Sequence, residues 1–424
     1  MVPNGVQAVG RIGASDERWG TLNERLQGTP IRVRLPICWN TNDGGIPVKH
    51  ATHAQHILYL AVIPWYRQEC VNVLAGRMGD SLRVFASEYG LDPTVRTGID
   101  SGNYTLVSRR GILADRILFQ AIPLEVFRTK GSVVVDLNPR SFSAWAVLLY
   151  RRFTGKRILV WGHLHPRRGA GTKTAAVRRA MRRIASGAIL YGYDSVTAAR
   201  SELPNQPVWV AANAIYKRTA MHSTGLNQTR NTMIYVGRLE MSKNVDQLIL
   251  GYRDSELWRV NVRLGIVGEG SLRKQVQEQA EEFGLSDSVD FYGQVNDEAE
   301  LAKIYGQAIF SLSPGYVGLS ATQSLGFGVP MVYARDAPHA PEVELRRLGF
   351  MQEYEPTTAD GLAAAMKVAY AKYISIPEST TDRIAVTTAS FYSAEIMSDG
   401  IISGLLNNAV EYGTDGWPIG KNQE

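Results

Sequence analysis

The sequence is short of sulfur and has no long apolar run. Two cysteines, Cys38 and Cys70, are too few for a disulfide framework, and with seven scattered histidines they make no zinc-ligand spacing. Neither a staple nor a structural metal is expected. No apolar run approaches the roughly 20 residues that cross a bilayer. The N-terminus lacks a basic segment followed by an apolar stretch and a small-residue cleavage site. The expectation is a soluble, cytoplasmic protein, at most peripheral to a membrane. Asn227-Gln228-Thr229 fits the N-glycosylation pattern, but without a secretory signal it reads as a loop. No Asp-x-Asp pair occurs anywhere in the chain.

What is there is ordinary for a globular protein: 45% hydrophobic and 20% charged residues. At 424 residues the chain is longer than one hydrophobic core usually organises, so two domains are expected. The net charge of +6 favours anionic partners: nucleotide phosphates, acidic lipid surfaces or nucleic acid. Much of the excess sits at 151–183, where Arg167, Arg168, Lys173, Arg178, Arg179, Arg182 and Arg183 crowd together. Residues 177–184 read as a helix with an arginine face and a Val/Ala/Met/Ile face. That face is either solvated or a surface for an anionic membrane or acceptor. No aromatic-interleaved basic motif accompanies it, so nucleic acid is not expected as a partner.

Residues 1–55 show no periodicity and are rich in Gly, Asn, Thr and Pro. They are expected to form an irregular extension with little chemistry, Asp43-Gly44-Gly45 being the run suited to approach a ligand. From residue 57 short apolar runs (57–63, 82–86, 133–137, 157–161) alternate with helical stretches (68–79, 143–152). After a polar interval at 223–231 the alternation restarts. Strands are predicted at 233–236, 262–267, 289–292, 309–312 and 330–333, with helices at 271–283 and 298–307. Strands alternating with helices imply parallel sheets covered on both faces. The predicted fold is α/β: two facing Rossmann-like doubly wound domains, 56–220 and 225–388. The cleft between them lies at the carboxyl ends of their strands.

Four runs in the second half carry chemistry. Residues 235–244 leave a strand, turn at Gly237, and present Arg238 and Lys243 before a helix. Glycine lets backbone approach a ligand, Arg238 offers a planar fork to phosphate oxygens, and Lys243 adds a compact charge. This suits a diphosphate; the plain alternative is two solvated cations. Gly268-Glu269-Gly270 again joins a strand to a helix start, as a phosphate loop or a tight turn. Gly293-Gln294-Val295 ends a strand and offers backbone groups to a flat ligand such as a base, or is an ordinary terminus. Finally, 313–330 is a glycine-rich loop, with Gly315, Tyr316 and Gly318, entering a helix. The amides of Gly318, Leu319 and Ser320 would sit at a positive helix terminus suited to phosphate. Gln323 is placed to reach ribose hydroxyls.

In order and spacing these runs resemble the signatures of family 4 of the retaining glycosyltransferases: G-R-L-x-x-x-K-G, G-x-G, F-x-G-x-V, then P-S-x-x-E-G-F-G-L-S-x-x-E. The resemblance covers 234–332, about a quarter of the chain. It implies a GT-B architecture and a nucleotide-diphosphate sugar donor held by the second domain. The acceptor, an unknown glycan, lipid or protein, would lie against the first. Transfer would retain configuration by a front-face route. Without Asp-x-Asp, no metal or other cofactor is implied, and Arg238, Lys243 and the amides near Ser320 would stabilise the leaving diphosphate.

The resemblance also places His163, at the end of the predicted strand 156–162, near the transferring sugar. His165 is the substitute, and a structural strand-end histidine the plain alternative. A helix at 390–412 would cross back onto the first domain. Asn213 reads as a turn or hinge residue, and His339-Ala340-Pro341-Glu342 as a pocket wall or surface loop. Two departures stand out: Gly315 and Gln323 occupy the positions of the pattern's two glutamates. Gln323 can still hydrogen-bond a ribose. Gly315 removes a sugar contact, so Tyr316 or Glu240 takes it over or transfer is impaired. The alternatives are a catalytically silent GT-B nucleotide-binding or scaffold protein, and a sugar-nucleotide epimerase of the same fold.

Overall fold

The computed structural model describes residues 55–91, 95–112, 116–166, 169–224 and 230–419. Cys38, Asp43-Gly44-Gly45 and the rest of the extension to residue 54, together with Arg167, Arg168 and Asn227, lie outside the described residues.

The first half builds a seven-stranded parallel sheet. Its strands are β1 (His56–Leu60), β2 (Leu82–Ala86), β3 (Thr105–Leu106), β6 (Val133–Asp136), β7 (Ile158–Gly162), β8 (Gly187–Leu190) and β9 (Val208–Val210), in the order β3-β2-β1-β6-β7-β8-β9. Beside it β4 (Arg109–Ile112) and β5 (Ile117–Gln120) form an antiparallel pair. The helices are α1 (Gln68–Met78), α2 (Leu124–Arg128), α3 (Phe142–Phe153), α4 (Lys173–Ile184) and α5 (Asp194–Glu202). The central strands read as unbroken apolar runs because helices cover both faces; Ile57, Val133, Val134, Ile158, Leu159 and Val160 are wholly buried.

The second half repeats the plan with β10 (Thr232–Val236), β11 (Arg263–Val267), β12 (Val289–Gly293), β13 (Ala308–Ser313), β14 (Met331–Ala334) and β15 (Met351–Tyr354), in the order β12-β11-β10-β13-β14-β15, all parallel. Its helices are α6 (Asp246–Ser255), α7 (Arg273–Glu282), α8 (Glu298–Gly306), α9 (Leu319–Gly326), α10 (Ala359–Tyr373) and α11 (Glu378–Tyr392).

The chain then returns. Ser393 breaks the helix and caps α12 (Ala394–Leu406), which packs on α1, β8 and β9 of the first domain. The approach is close: a Cβ on Gly400 would stand 1.9 Å from the Val210 carbonyl oxygen. The short helical segment Pro341–Leu348 also fastens the domains. The Glu344 carboxylate accepts from the amides of Tyr193 (2.8 Å) and Asp194 (2.8 Å) at the start of α5, and from the Tyr392 hydroxyl (2.6 Å). A carboxylate at a helix N-terminus is the favourable sign. Gly192 must be small there, since its Cβ would lie 2.7 Å from Pro341.

Candidate active site

In a doubly wound sheet the crevice opens where strand order reverses. Here that is between β1 and β6 in the first sheet and between β10 and β13 in the second.

The second-domain lip is built from backbone. Gly237 N donates to Val267 O (3.0 Å), Leu239 N to Glu269 O (2.9 Å), Leu272 N to Leu239 O (2.9 Å) and Gly268 N to Gly293 O (2.7 Å). The loops lie so close that a Cβ on Gly268 would stand 1.9 Å from Gly237 O, and one on Gly270 2.3 Å from Leu239 O. Gly268 and Gly270 therefore serve a tight loop-to-loop contact, and the amides of Gly237 and Gly268 are occupied by neighbouring strands rather than turned to a ligand. Glu269 is paired with Arg273 at the surface. Gln294 is exposed with its amide on Asn296 (3.1 Å), and Val295 packs partly against the apolar cluster of α8.

Arg238 is exposed; its carbonyl accepts from the Tyr235 hydroxyl (2.8 Å), and its guanidinium has no hydrogen-bond or ion-pair partner among the described residues. The Lys243 ammonium donates to the Tyr316 carbonyl (2.6 Å) and lies 4.7 Å from the centre of its ring. Asn244 follows in the left-handed region at φ 50°, where the family pattern has glycine, a conformation asparagine tolerates. Glu240 accepts from the amide and hydroxyl of Ser271. Those bonds hold its carboxyl below the usual range.

Gly315 packs on this same turn. A Cβ there would stand 2.6 Å from the carbonyl carbon and 2.8 Å from the Cα of Lys243, so no side chain fits where the pattern has its first glutamate. The position of the second is also altered. Gln323 is buried, donating to the Tyr216 hydroxyl (2.6 Å) and accepting from the Tyr305 hydroxyl (3.3 Å). A buried amide satisfied at both ends is a brace between α9, α8 and the interdomain segment. Its amide nitrogen and oxygen are each engaged in this way. Gly318 precedes α9 with no side-chain cap, leaving the helix terminus at Leu319 and Ser320 open in that sense. His339 braces the loop from behind: its Nδ1 accepts from Val317 N (3.1 Å), so its Nε2 carries the proton toward Ala334 O (2.8 Å).

The first-domain lip is built from side chains. His163 follows β7 and is exposed, its ring 4.8 Å from that of Tyr191. His165 instead faces Glu202 (3.7 Å) in the packing of α4 on α5. Arg182 is corrected too: it is wholly buried, donating to Glu202 (2.6 Å) and to Ala199 O (2.9 Å), while Arg179 and Arg183 remain on the exposed face. The Tyr191 ring also meets Trp161 (5.6 Å) and lies 4.9 Å from the guanidinium of Arg67.

Asp136, at the end of β6, accepts from Ala61 N, and burial pushes its carboxyl up to about 7. Asn213 donates to one oxygen of buried Glu342; the other carboxyl oxygen and the Asn213 carbonyl oxygen have no partner among the described residues. Arg67, Asp136 and Tyr191 are not site residues in the sequence reading, and Glu342 enters it only within a pocket wall or surface loop. Each stands in ordinary local sequence, and only the topology brings them together. Among the described residues no group of three His, Cys, Asp or Glu is placed to hold a metal ion.

Two doubly wound domains with facing strand-end crevices, the first completed by a returning C-terminal helix, define the GT-B architecture. Residues 217–369 match the model of the family Glycosyl transferases group 1. Over 110 residues it is 34% identical to a GDP-mannose-dependent alpha-(1-6)-phosphatidylinositol dimannoside mannosyltransferase of Mycobacterium tuberculosis, covering 25% of this chain and 28% of that protein. An alpha-monoglucosyldiacylglycerol synthase of Streptococcus pneumoniae is 27% identical over 26% of this chain and 25% of its own length. The chain thus spans about a quarter of the length of the curated relatives it matches. In fold it resembles the lipopolysaccharide outer core galactosyltransferase WaaB in apo form (TM-score 0.59, 14% identity, 84% of this chain and 100% of that one). It also resembles Anabaena HepE in complex with UDP (TM-score 0.57, 15% identity, 84% and 100%). Among the described residues no helix is long and apolar enough to cross a membrane.

Proposed function

We propose that the protein is a glycosyltransferase that moves a sugar from a nucleotide-diphosphate sugar to an acceptor, with retention of configuration and without a metal. The observation that carries this reading is the second-domain lip, where Arg238, Lys243 and the uncapped start of α9 lie on adjoining turns after β10 and β13. Two cations and a helix terminus there suit the charge that builds on a departing diphosphate. GDP-mannose in the name of one relative and UDP in a solved neighbour favour a nucleoside diphosphate donor. His163 supplies the polar group on the opposite lip. Retention rests on the order and spacing of the four runs. The lipid substrates in the relatives' names favour a lipid among the possible acceptors, with exposed Lys173, Arg179 and Arg183 of α4 toward an anionic surface.

A second reading, a silent nucleotide-binding protein, is favoured by the absence of room at Gly315. Release of nucleoside diphosphate from UDP-glucose and GDP-mannose separates the two. Transfer predicts turnover, and Lys243→Ala and Arg238→Ala each lower it by about 100-fold. Near-normal turnover in both variants overturns the assignment. Nucleotide binding without turnover of any donor supports the silent reading, and interconversion of the sugar without acceptor marks an epimerase.

A further inference from the structure

A guanidinium withdrawn from water ordinarily has a carboxylate beside it. Arg67 does not. It is 6% exposed, yet no Asp or Glu among the described residues stands within ion-pair distance. Its cation is held by three rings, Tyr191 at 4.9 Å, Trp161 at 5.5 Å and Tyr66 at 5.5 Å, and one Nη donates to the Met397 sulfur (2.8 Å). Rings and a thioether satisfy a guanidinium poorly, and its remaining N–H groups have no acceptor among the described residues.

Its place in the fold matters as much. Arg67 lies in the turn after β1, at the switch point of the first sheet, as Arg238 and Lys243 lie after β10 at that of the second. It is also the N-cap of the 11-residue helix α1, whose positive terminus adds to its charge. The two carboxyls in electrostatic reach of the same Tyr191 ring, Asp136 and Glu342, are both driven toward the neutral form by burial. Burial thus weakens the acidic charge facing Arg67 in the first-domain crevice, beside His163.

We propose that Arg67 is an acceptor-binding residue that takes a phosphate or carboxylate group of the acceptor as a bidentate oxyanion. This rests on the donor being held by the second-domain lip. The acceptor is then an anionic molecule, a phosphate ester or an acidic sugar, anchored by its oxyanion while a hydroxyl is presented beside His163.

The test is calorimetric titration of the full chain, saturated with UDP or GDP, with glycerol 3-phosphate and with glucuronate at millimolar concentration. One probe binds. Arg67→Met, with thermal midpoint checked, weakens that probe by about tenfold or more, the loss of a charge-assisted pair. Nucleotide affinity stays within about twofold of the wild type, while Lys243→Met has the reverse pattern. Arg67→Lys, which keeps the charge and loses the fork, falls between. The proposal is overturned if neither probe binds the wild type, if Arg67→Met binds the probe normally, or if it loses nucleotide affinity equally, which would put Arg67 on the donor side. If no nucleotide binds, the transferase reading fails, and titration of the nucleotide-free protein still decides the role of Arg67.

Discussion

The two crevices of this molecule share a topology and differ in material. At the second sheet the lip is made of backbone: four glycines, Gly237, Gly268, Gly270 and Gly293, let three strand-end loops hydrogen-bond one another, and few side chains take part. At the first sheet the lip is a run of side chains, with Arg67, Trp161 and His163 gathered on Tyr191 above buried Asp136. A backbone site has few ways to vary, because a Cβ on Gly268 or Gly270 collides with a carbonyl. A side-chain site can be rebuilt one residue at a time. Under the transferase proposal, that suits a donor half that recognises a common phosphate and an acceptor half that varies between relatives.

Three measurements can break or sharpen this contrast. Gly268→Ala is expected to be the most damaging: its Cβ would stand 1.9 Å from Gly237 O at φ 139°. Urea unfolding should show a loss of about 3 kcal/mol or more, with nucleotide binding abolished. A normal midpoint would mean the lip is not backbone-locked.

Next is the share of the pH slope that the first crevice contributes through Asp136. Asp136 has its folded pKa raised to about 7, above the ordinary value of 3.8, so the fold keeps a proton that the unfolded chain releases. Stability from this group is fully present below about pH 4 and falls as pH rises toward 7. One proton is worth about 1.4 kcal/mol per pH unit, so about 2 kcal/mol should disappear between pH 5 and 7. Asp136→Asn, which can still accept from Ala61 N, should flatten that slope in thermal melts. An unchanged slope would remove Asp136 as its source.

The smallest effect is expected of Tyr191→Leu, about 1 kcal/mol from lost ring and cation contacts. It should weaken acceptor use while nucleotide affinity holds. Equal loss of both would erase the distinction between the lips.

The same contrast explains what could be read in advance. Strands β1, β2, β6, β7 and β10 to β14 were legible because burial leaves near-continuous apolar runs, whereas the short β3, β8, β9 and β15 were not. The second-domain loops were legible because close approach demands glycine at fixed spacings. The β4–β5 pair was not, since Arg-Arg-Gly-Ile and Ile-Leu-Phe-Gln lack alternation. The bracing bonds of Gln323 were not legible, because its partners Tyr216 and Tyr305 come from other segments. Arg182 was placed on a solvated face because sequence does not show that Glu202 waits behind the helix. Arg67 was passed over for the same reason: the rings that hold it, Trp161 and Tyr191, are far along the chain and meet it only through the order of the strands.

The returning helix α12 has a consequence for how the protein comes into being. Met397, Ile401, Ile402 and Leu405 complete, beside α1, the apolar layer over Leu58, Ile189 and Trp209, so that layer stays unfinished until residue 405 has left the ribosome. The second domain, encoded between the two parts, is an insertion within the first and is synthesised before it is complete. A fragment ending near residue 220 therefore has a sheet only partly covered on one face.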